Sequence, residues 1–158
     1  MKPIAIIGAG PAGIRAAQTL VAHGLYPVLL DEAARGGGQI YRRQPANFKR
    51  SPGKLYGFEA HKANAIHQTL DALREQLDYR PDTLVWNAEA GLLDTLHEGR
   101  ADRLEYASVI VATGATDRIL PVPGWTRPGV YSRGAAAIAL KCQGCAIGER
   151  VVFAGCGP

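Results

Sequence analysis

The sequence predicts an α/β fold in which a parallel β-sheet is flanked by helices and accompanied by a small antiparallel β-meander. The apolar run "IAIIGAG" passes through glycines into residues with helical spacing, which is typical of a buried parallel strand followed by a helix. Two further apolar runs, "YPVLLDE" and "SVIVATGA", also have the composition of buried strands. Between them, "GLLDTLHEG" and "DRLEYAS" flank a turn at Glu98-Gly99, which predicts two antiparallel strands.

The first unit is a strand, a helix and a second strand. From Pro11 to His23 apolar residues recur at helical spacing, and Gly24 follows where a glycine commonly ends a helix. The run "YPVLLDE" comes next, so the sequence predicts a β-α-β unit with parallel strands.

The rest of the chain alternates regular and irregular segments. Residues 35–57 are rich in glycine, proline and arginine, which predicts irregular structure. Apolar spacing from Phe58 to Leu77 predicts an amphipathic helix, and "TLVWN" predicts a strand. The proline-rich "RILPVPGWTRPGV" favours an extended connection, Gly134 to Cys142 favours a short helix, and "RVVFAGCGP" favours another strand.

Composition favours a soluble protein and argues against a membrane span. The 158 residues are 47% hydrophobic and 20% charged, as in ordinary globular domains. No apolar run approaches the roughly 20 residues that cross a bilayer. The N-terminus lacks the basic region and cleavage site of a signal peptide, so we expect a cytoplasmic protein.

The glycines of the first turn predict a phosphate-binding site. Gly8, Gly10 and Gly13 match Gly-x-Gly-x-x-Gly between a strand and a helix, the context that gives this pattern its meaning. Gly8 allows the tight turn, Gly10 allows a pyrophosphate to approach the backbone, and Gly13 allows close packing of helix on strand. The first-turn N–H groups and the helix dipole would hold the phosphates, and Pro11 suits the first helical position.

An acidic residue at the end of the second strand predicts contact with a ribose. In the Rossmann pattern this acid follows the glycines by about 20 residues and accepts hydrogen bonds from ribose hydroxyls. Asp31 and Glu32 both suit this position, and the sequence leaves the choice open. An acid here disfavours a 2′-phosphate, so the predicted ligand contains an adenosine with free ribose hydroxyls.

These motifs together resemble a family of flavoproteins. The segments "IAIIGAGPAG", "LLDE", "GGGQIYR" and "VIVATGA" resemble the Rossmann-like FAD domain of pyridine-nucleotide-disulfide-oxidoreductase-like proteins. More narrowly, "GGQIYRR", "ATGATDRILPVPGWTRPGV" and "GAAAIALK" resemble the FAD/NAD-binding subunit of heteromeric amino-acid and opine dehydrogenases. That group includes octopine and nopaline oxidases, hydroxyproline dehydrogenases and hydrogen cyanide synthase.

The resemblance implies an oxidoreductase subunit that binds FAD and works with a partner subunit on a small molecule: an amino acid, an imino acid or an opine. NAD(P) would bind only in a longer relative. No catalytic acid or base is implied. The implied cofactor-binding residues are Gly8, Gly10, Pro11, Ala12, Gly13, Asp31 or Glu32, Gly37, Gly38, Gln39, Arg42, Thr113 and Gly114. Arg43 would add a phosphate contact.

The resemblance also implies a domain organisation. Residues 1–115 would form the N-terminal part of the FAD-binding domain, and residues 116–148 a connection with a short helix. Residues 149–158 would form the first strand and glycine turn of a truncated NAD-type domain. An inactive fragment and a non-catalytic dinucleotide-binding or scaffolding subunit are the alternative interpretations.

Two other features suggest functions that the sequence does not settle. Cys142 and Cys145 form a Cys-x-x-Cys pair, which is a chance spacing, a redox pair, or, with Cys156 nearby, part of a metal site; we predict no metal site. The stretch from Arg35 to Lys62 is basic and carries aromatic residues. It is a solvated loop, an aid to phosphate binding or a surface for an acidic partner; without a nucleic-acid motif we predict no nucleic-acid binding.

Overall fold

Two sheets and four α-helices organise the part of the chain that the structure describes. The computed structural model describes residues 2–155. The strands are β1 (Ile4–Ile7), β2 (Val28–Leu30), β3 (Asp78–Arg80), β4 (Thr83–Glu89), β5 (Leu92–His97), β6 (Arg100–Glu105) and β7 (Ser108–Val111). The α-helices are α1 (Pro11–Ala22), α2 (Pro52–Tyr56), α3 (Ala60–Leu73) and α4 (Arg133–Ala137). A 3₁₀ turn, Gly57–Glu59, precedes α3, and a π-helical turn, Ile138–Cys142, continues α4.

The main sheet is parallel and lies between two other layers. Its strand order is β3-β2-β1-β7, and β4, β5 and β6 form a separate antiparallel sheet. Alternate side chains of a strand point to opposite faces. Ile6 and Leu29 therefore pack with α1 and α3 on one face, while Ala5 and Leu30 pack with Leu93 of the antiparallel sheet on the other.

The predicted fold class and most predicted elements are confirmed. The β-α-β unit, the helix within residues 58–77, the antiparallel pair and the strand "SVIV" all form. Gly24 ends the first helix region with a φ of 75°, and Glu98 and Gly99 both have positive φ at the hairpin turn. A turn with two positive φ values matches the twist of the flanking strands.

Three elements differ from the sequence prediction within residues 35–80. Helix α3 ends at Leu73, before the predicted end at Leu77. Leu77 is nevertheless buried in the same hydrophobic cluster as the helix, so its apolar side chain fits the helical spacing without being helical. The short strand β3 follows and was missed, since an edge strand with the sequence "DYR" has no apolar run. The predicted irregular stretch also contains α2, which begins at Pro52.

The C-terminal strand is not formed in the described residues. Residues 149–155 have no strand hydrogen bonds, whereas the sequence predicted a strand there. A strand requires a neighbouring strand for its backbone groups, and none of the described strands pairs with this segment. The rest of the second glycine turn, with Cys156, lies outside the described residues. The assignment of residues 149–158 to a second domain stays a prediction.

Candidate functional site

A cavity of about 820 Å³ opens at the carboxyl ends of β1, β2 and β7. In open α/β sheets this edge is the usual place for ligands. The cavity contains most of the predicted binding residues: Gly8, Gly10, Pro11, Ala12, Asp31, Glu32, Gly38, Gln39, Arg42, Thr113 and Gly114. Gly13 and Gly37 are not part of its lining.

The structure requires glycine for different reasons at Gly8 and Gly13, and does not itself require it at Gly10. Gly8 has a φ of 105°, and a Cβ there would collide with the carbonyl oxygen of Ala112. A Cβ on Gly13 would collide with the carbonyl oxygen of Gly8, so this glycine allows the helix to pack on the turn. The nearest protein atom to a Cβ on Gly10 is the Cα of Gly38 at 3.7 Å. The fold itself therefore has room for a side chain at Gly10, and the side chain would extend along the cavity wall.

Helix α1 begins at this turn and directs its first N–H groups towards the same region. Gly10 precedes the helix in an extended conformation, and Pro11 is its first residue. The first N–H groups of a helix have no acceptor within the helix. No side chain caps this end and no acidic residue lies in the first turn. The arrangement suits an anionic ligand such as a pyrophosphate.

The two acidic residues after β2 have different surroundings. Asp31 is 9% exposed, and its carboxylate accepts hydrogen bonds from the backbone N–H groups of Ala9 and Ala33, the latter at 2.7 Å. Burial raises the pKa of Asp31, while these two N–H groups act in the opposite direction. Glu32 is exposed and also lines the cavity. Asp31 thus holds the glycine turn, whereas the carboxylate of Glu32 is free to meet a ligand.

Three side chains fix the loop that carries Gln39 and Arg42. Consecutive carbonyl oxygens at residues 40, 41 and 42 accept hydrogen bonds from Lys141 Nζ (2.9 Å), His67 Nε2 (2.7 Å) and Tyr56 Oη (2.7 Å). The three donors come from the π-helical turn, α3 and α2. They hold the loop in place from three sides.

Contacts at both ends of this loop join it to the two glycine-containing turns. The N–H of Gly37 donates to the carbonyl oxygen of Ala9 at 2.8 Å, and Gln39 Nε2 donates to the carbonyl oxygen of Ala115 at 2.6 Å. Gly37 has a φ of 132°, and a Cβ there would collide with the carbonyl oxygen of Tyr41. Gly37 therefore shapes the loop without lining the cavity. Thr113 and Gly114, next to Ala115, also line the cavity.

The two neighbouring arginines of the loop differ in their contacts. Arg42 lines the cavity and forms no salt bridge with a described residue. Arg43 points the other way and binds the Asp71 carboxylate at 3.0 Å and the carbonyl oxygen of His67 at 2.8 Å. The expected phosphate contact from Arg43 is therefore wrong, because that side chain ties the loop to α3.

The sequence analysis missed two groups of cavity residues. Thr83, Leu84 and Val85, at the start of β4, lie in the same cavity as Asp31 and Glu32, and we call these five residues the acidic end. Arg133 and Lys141 line the cavity from the segment that follows the proline-rich connection, and we call this pair the basic end. No local sequence pattern predicts either group. In the structure, the acidic end is marked by the apolar Leu84 side chain, which is 41% exposed.

The basic stretch from Arg35 to Lys62 does not present its aromatic residues as a stacking surface. Tyr41 is 6% exposed and its hydroxyl donates to Glu59 Oε2, while Tyr56 packs edge-on against Tyr41 and His67. Phe58 is 89% exposed, but a single ring does not form a platform for successive bases. Tyr41 and Tyr56 instead pack within and against the loop that carries Gln39 and Arg42.

The cysteines and helices of residues 2–155 show neither a metal cluster nor a membrane-spanning element. Cys142 and Cys145 are both free, and the second is exposed. Within residues 2–155, no three His, Cys, Asp or Glu side chains group as metal ligands would. Among the same residues, no helix combines the length and apolar character needed to traverse a bilayer.

Comparison with known proteins identifies relatives along nearly the whole chain. Residues 2–158 match the family described as "Pyridine nucleotide-disulphide oxidoreductase". An opine oxidase subunit from Rhizobium meliloti is 40% identical over 98% of this chain and 31% of its own length. Hydrogen cyanide synthase subunit HcnB of Pseudomonas aeruginosa is 33% identical over 89% of this chain and 30% of its own length. The chain therefore spans about a third of the length of these relatives.

One solved structure has the same fold over most of the chain. L-proline dehydrogenase from P. horikoshii superposes with a TM-score of 0.75 at 24% identity, covering 94% of this chain and 30% of that one.

Proposed function

Because the chain belongs to the pyridine nucleotide-disulphide oxidoreductase family, we propose that its cavity holds FAD and that it is part of an oxidoreductase subunit. Membership confirms the resemblance to this family, and the opine oxidase and hydrogen cyanide synthase relatives support an FAD-dependent oxidoreductase class for the chain. The cofactor-binding residues, the substrate and the partner subunit are proposed below.

The observation that carries the proposal is the space at Gly10. A glycine is needed at Gly8 and Gly13 because the protein's own backbone would collide with a Cβ. At Gly10 the nearest atom to a Cβ lies 3.7 Å away, an ordinary van der Waals contact, so the fold tolerates alanine. The absence of a side chain at Gly10, beside a helix N-terminus and in a cavity, is therefore explained by a ligand that approaches the backbone. A pyrophosphate fits this place.

The adenosine would lie at the acidic end. Glu32 is exposed to the cavity and accepts hydrogen bonds from the ribose hydroxyls, while Asp31 keeps the glycine turn in shape. Thr83 to Val85 line this end of the cavity, and the exposed Leu84 side chain would lie against the flat base. The sequence left Asp31 and Glu32 as alternatives, and this assignment separates their roles.

The pyrophosphate would lie over Gly10, Pro11 and Ala12 at the start of α1, with Arg42 as a positive neighbour. When bound, FAD supplies the redox chemistry of the subunit by accepting and passing on electrons. The residues of this chain bind and orient it. Gly38 and Gln39 would continue the cavity wall beyond the pyrophosphate, together with Thr113 and Gly114.

The reaction would be the oxidation of an amino acid, an imino acid or an opine. Two relatives at 33–40% identity are named as subunits, one of an opine oxidase and one of a hydrogen cyanide synthase. This supports a partner subunit for the present chain too. Location in the cytoplasm stays a prediction from the N-terminal sequence.

A matched pair of glycine variants tests the FAD site. Gly10→Ala places one methyl group on the cavity wall, whereas Gly53→Ala adds the same group in α2 where no atom lies within 4 Å. We expect Gly10→Ala to weaken FAD binding by roughly 100-fold because the methyl group displaces the pyrophosphate. Gly53→Ala should bind FAD as the unaltered protein does.

The measurements are FAD titration by flavin fluorescence and thermal unfolding of the cofactor-free chains. Both variants should unfold within about 2 °C of the unaltered protein, as is usual for a substitution with room for its side chain. If Gly10→Ala retains full FAD affinity, the proposed site is wrong.

Reduction by a substrate separates the catalytic interpretation from the non-catalytic one. The FAD-loaded chain would be mixed anaerobically with L-proline, sarcosine or octopine, and the flavin absorbance followed. Bleaching by one of them supports an oxidoreductase subunit for that class of substrate. Protein that binds FAD but is bleached by dithionite alone has the role of a dinucleotide-binding or scaffolding subunit.

A further inference from the structure

The basic end contains positive charges without negative partners in the described part of the chain. Arg133 and Lys141 line the cavity with Arg42, and none of the three forms a salt bridge there. The nearest acidic residue in the cavity lining, Asp117, uses its carboxylate to accept a hydrogen bond from the N–H of Gly134 at 2.5 Å. The cations of the basic end therefore have no ion-pair partner among the described residues, although the Asp117 carboxylate lies nearby on the N–H of Gly134.

The charges of the cavity residues affect one another. Burial lowers the pKa of Lys141, and the positive charges of Arg133 and Arg42 lower it further. The charges that affect the pKa of Asp31 are those of Glu32 and Arg42. Arg42 therefore interacts with groups of both ends, Asp31 at the acidic end and Lys141 at the basic end.

Lys141 is held in position with hydrogen-bonding capacity to spare. Its Nζ donates to the carbonyl oxygen of Ile40 at 2.9 Å and lies 5.5 Å from the centre of the Tyr56 ring. An ammonium group has three N–H donors, so two remain for a ligand. Lys141 lies in the π-helical turn, a rare geometry that is frequent at functional sites. Arg133 donates no hydrogen bond to a described residue, so its planar donor group is free to take a carboxylate in bidentate fashion.

We propose that Arg133 and Lys141 form a carboxylate-binding subsite in which a small-molecule ligand binds at the same time as FAD. The proposal rests on the proposed function, since the ligand would be the substrate of the flavin. A pyrophosphate already has the N–H groups of α1 and Arg42 at its place in the cavity, so the remaining cations meet a second anionic group. Amino acids, imino acids and opines all carry a carboxylate that fits this chemistry.

The test uses the full chain loaded with FAD and two probes that differ only in charge. Pyrrole-2-carboxylate carries the anionic group, and pyrrole-2-carboxamide is its neutral counterpart. We expect the carboxylate to change the flavin absorption spectrum saturably and the carboxamide to leave it unchanged. Equal binding of the two probes, or binding of neither, overturns the proposal.

Variants then assign the binding to the two cations. Arg133→Gln removes no internal hydrogen bond, and we expect it to weaken carboxylate binding roughly 10-fold, as loss of a charge-assisted hydrogen bond does. Lys141→Met should have a similar effect, and Lys141→Arg should restore most of the affinity. Lys54→Met, an exposed lysine outside this cavity, is the control and should bind as the unaltered chain does.

The outcomes also distinguish a separate ligand from the cofactor itself. FAD affinity of Arg133→Gln within about twofold of the unaltered chain supports the proposal. Loss of FAD affinity in that variant, or displacement of the carboxylate by FAD, would mean that the cofactor's own phosphates occupy the basic end, and the proposal is then wrong.

If the unaltered chain binds no FAD, the proposed function fails, but calorimetric titration of the cofactor-free chain with the carboxylate still tests the subsite. Binding that Arg133→Gln abolishes would support the subsite, and no binding would overturn it.

Discussion

The acidic end and the basic end of the cavity are built in opposite ways. At the acidic end, Asp31 directly follows a buried strand, and its carboxylate is fixed by two backbone N–H groups. At the basic end, Lys141 and Arg133 come from the segment after the proline-rich connection and contact the rest of the protein through few hydrogen bonds. We call the half supplied by the sheet and its turns the rigid half, because many backbone contacts fix it. We call the half supplied by the loop of residues 37–43, α4 and the π-helical turn the adaptable half, because fewer contacts join it to the sheet.

The largest effect should come from Gly13 in the rigid half. In Gly13→Ala the new Cβ meets the carbonyl oxygen of Gly8, and backbone atoms must move to relieve the collision. We expect the free energy of unfolding to fall by at least about 3 kcal/mol, the upper range for overpacking. Urea titration measures it, with Gly53→Ala as the control. If Gly13→Ala is as stable as the unaltered chain, the glycine turn can move to accommodate a methyl group and is not rigid.

Asp31 and Glu32 should separate stability from binding. Asp31→Ala leaves the N–H groups of Ala9 and Ala33 without their acceptor, and we expect a loss of about 2 kcal/mol in unfolding free energy. Glu32→Gln should leave stability unchanged and weaken FAD binding. Both quantities come from urea titration and FAD fluorescence on the same preparations. If the two variants exchange these effects, Asp31 is the ribose ligand.

A single hydroxyl tests the adaptable half. Tyr56→Phe removes the donor that binds the carbonyl oxygen of Arg42, while the ring contacts with Tyr41 and His67 remain. We expect a loss of about 1 kcal/mol, the usual contribution of one hydrogen bond. Limited proteolysis should show faster cleavage within residues 37–43. Unchanged cleavage would place the loop in the rigid half of the site.

The smallest effect should be a pH dependence from His67. Burial lowers the pKa of His67 from 6.5, and the nearby Arg43 charge acts in the same direction, although the hydrogen bond to Tyr41 opposes it. The unfolded chain therefore binds a proton at higher pH than the folded chain, so this contribution is present above pH 6.5 and decreases as the pH falls below it. Thermal unfolding of the unaltered chain and of His67→Gln between pH 7.5 and 5.5 measures the difference. A larger decrease in His67→Gln would contradict the sign.

Much of the rigid half was predictable because its signals are local. Glycines between an apolar strand and a helical pattern fix the turn and the position of Gly8, Gly10 and Gly13. The acids were found by their place after the second strand. The sequence did not separate their roles, since the N–H groups that bind Asp31 become neighbours only in the folded turn.

The direction of the Arg43 side chain could not be predicted from the sequence. Its neighbour Arg42 has the same charge and lies in the same loop, yet only Arg42 faces the cavity. The direction of Arg43 depends on Asp71 and the carbonyl oxygen of His67 in a helix far along the chain. Composition and spacing contain no information about such a partner.

The amino-acid sequence by itself determined the parallel α/β framework, the glycine turn and the class of ligand, because each depends on residues that are close in the chain. Only the tertiary structure decided that Thr83–Val85, Arg133 and Lys141 share a cavity with that turn. Those contacts join segments through side-chain packing and hydrogen bonds, such as that from Lys141 to the carbonyl oxygen of Ile40. Packing of this kind has no period in the sequence.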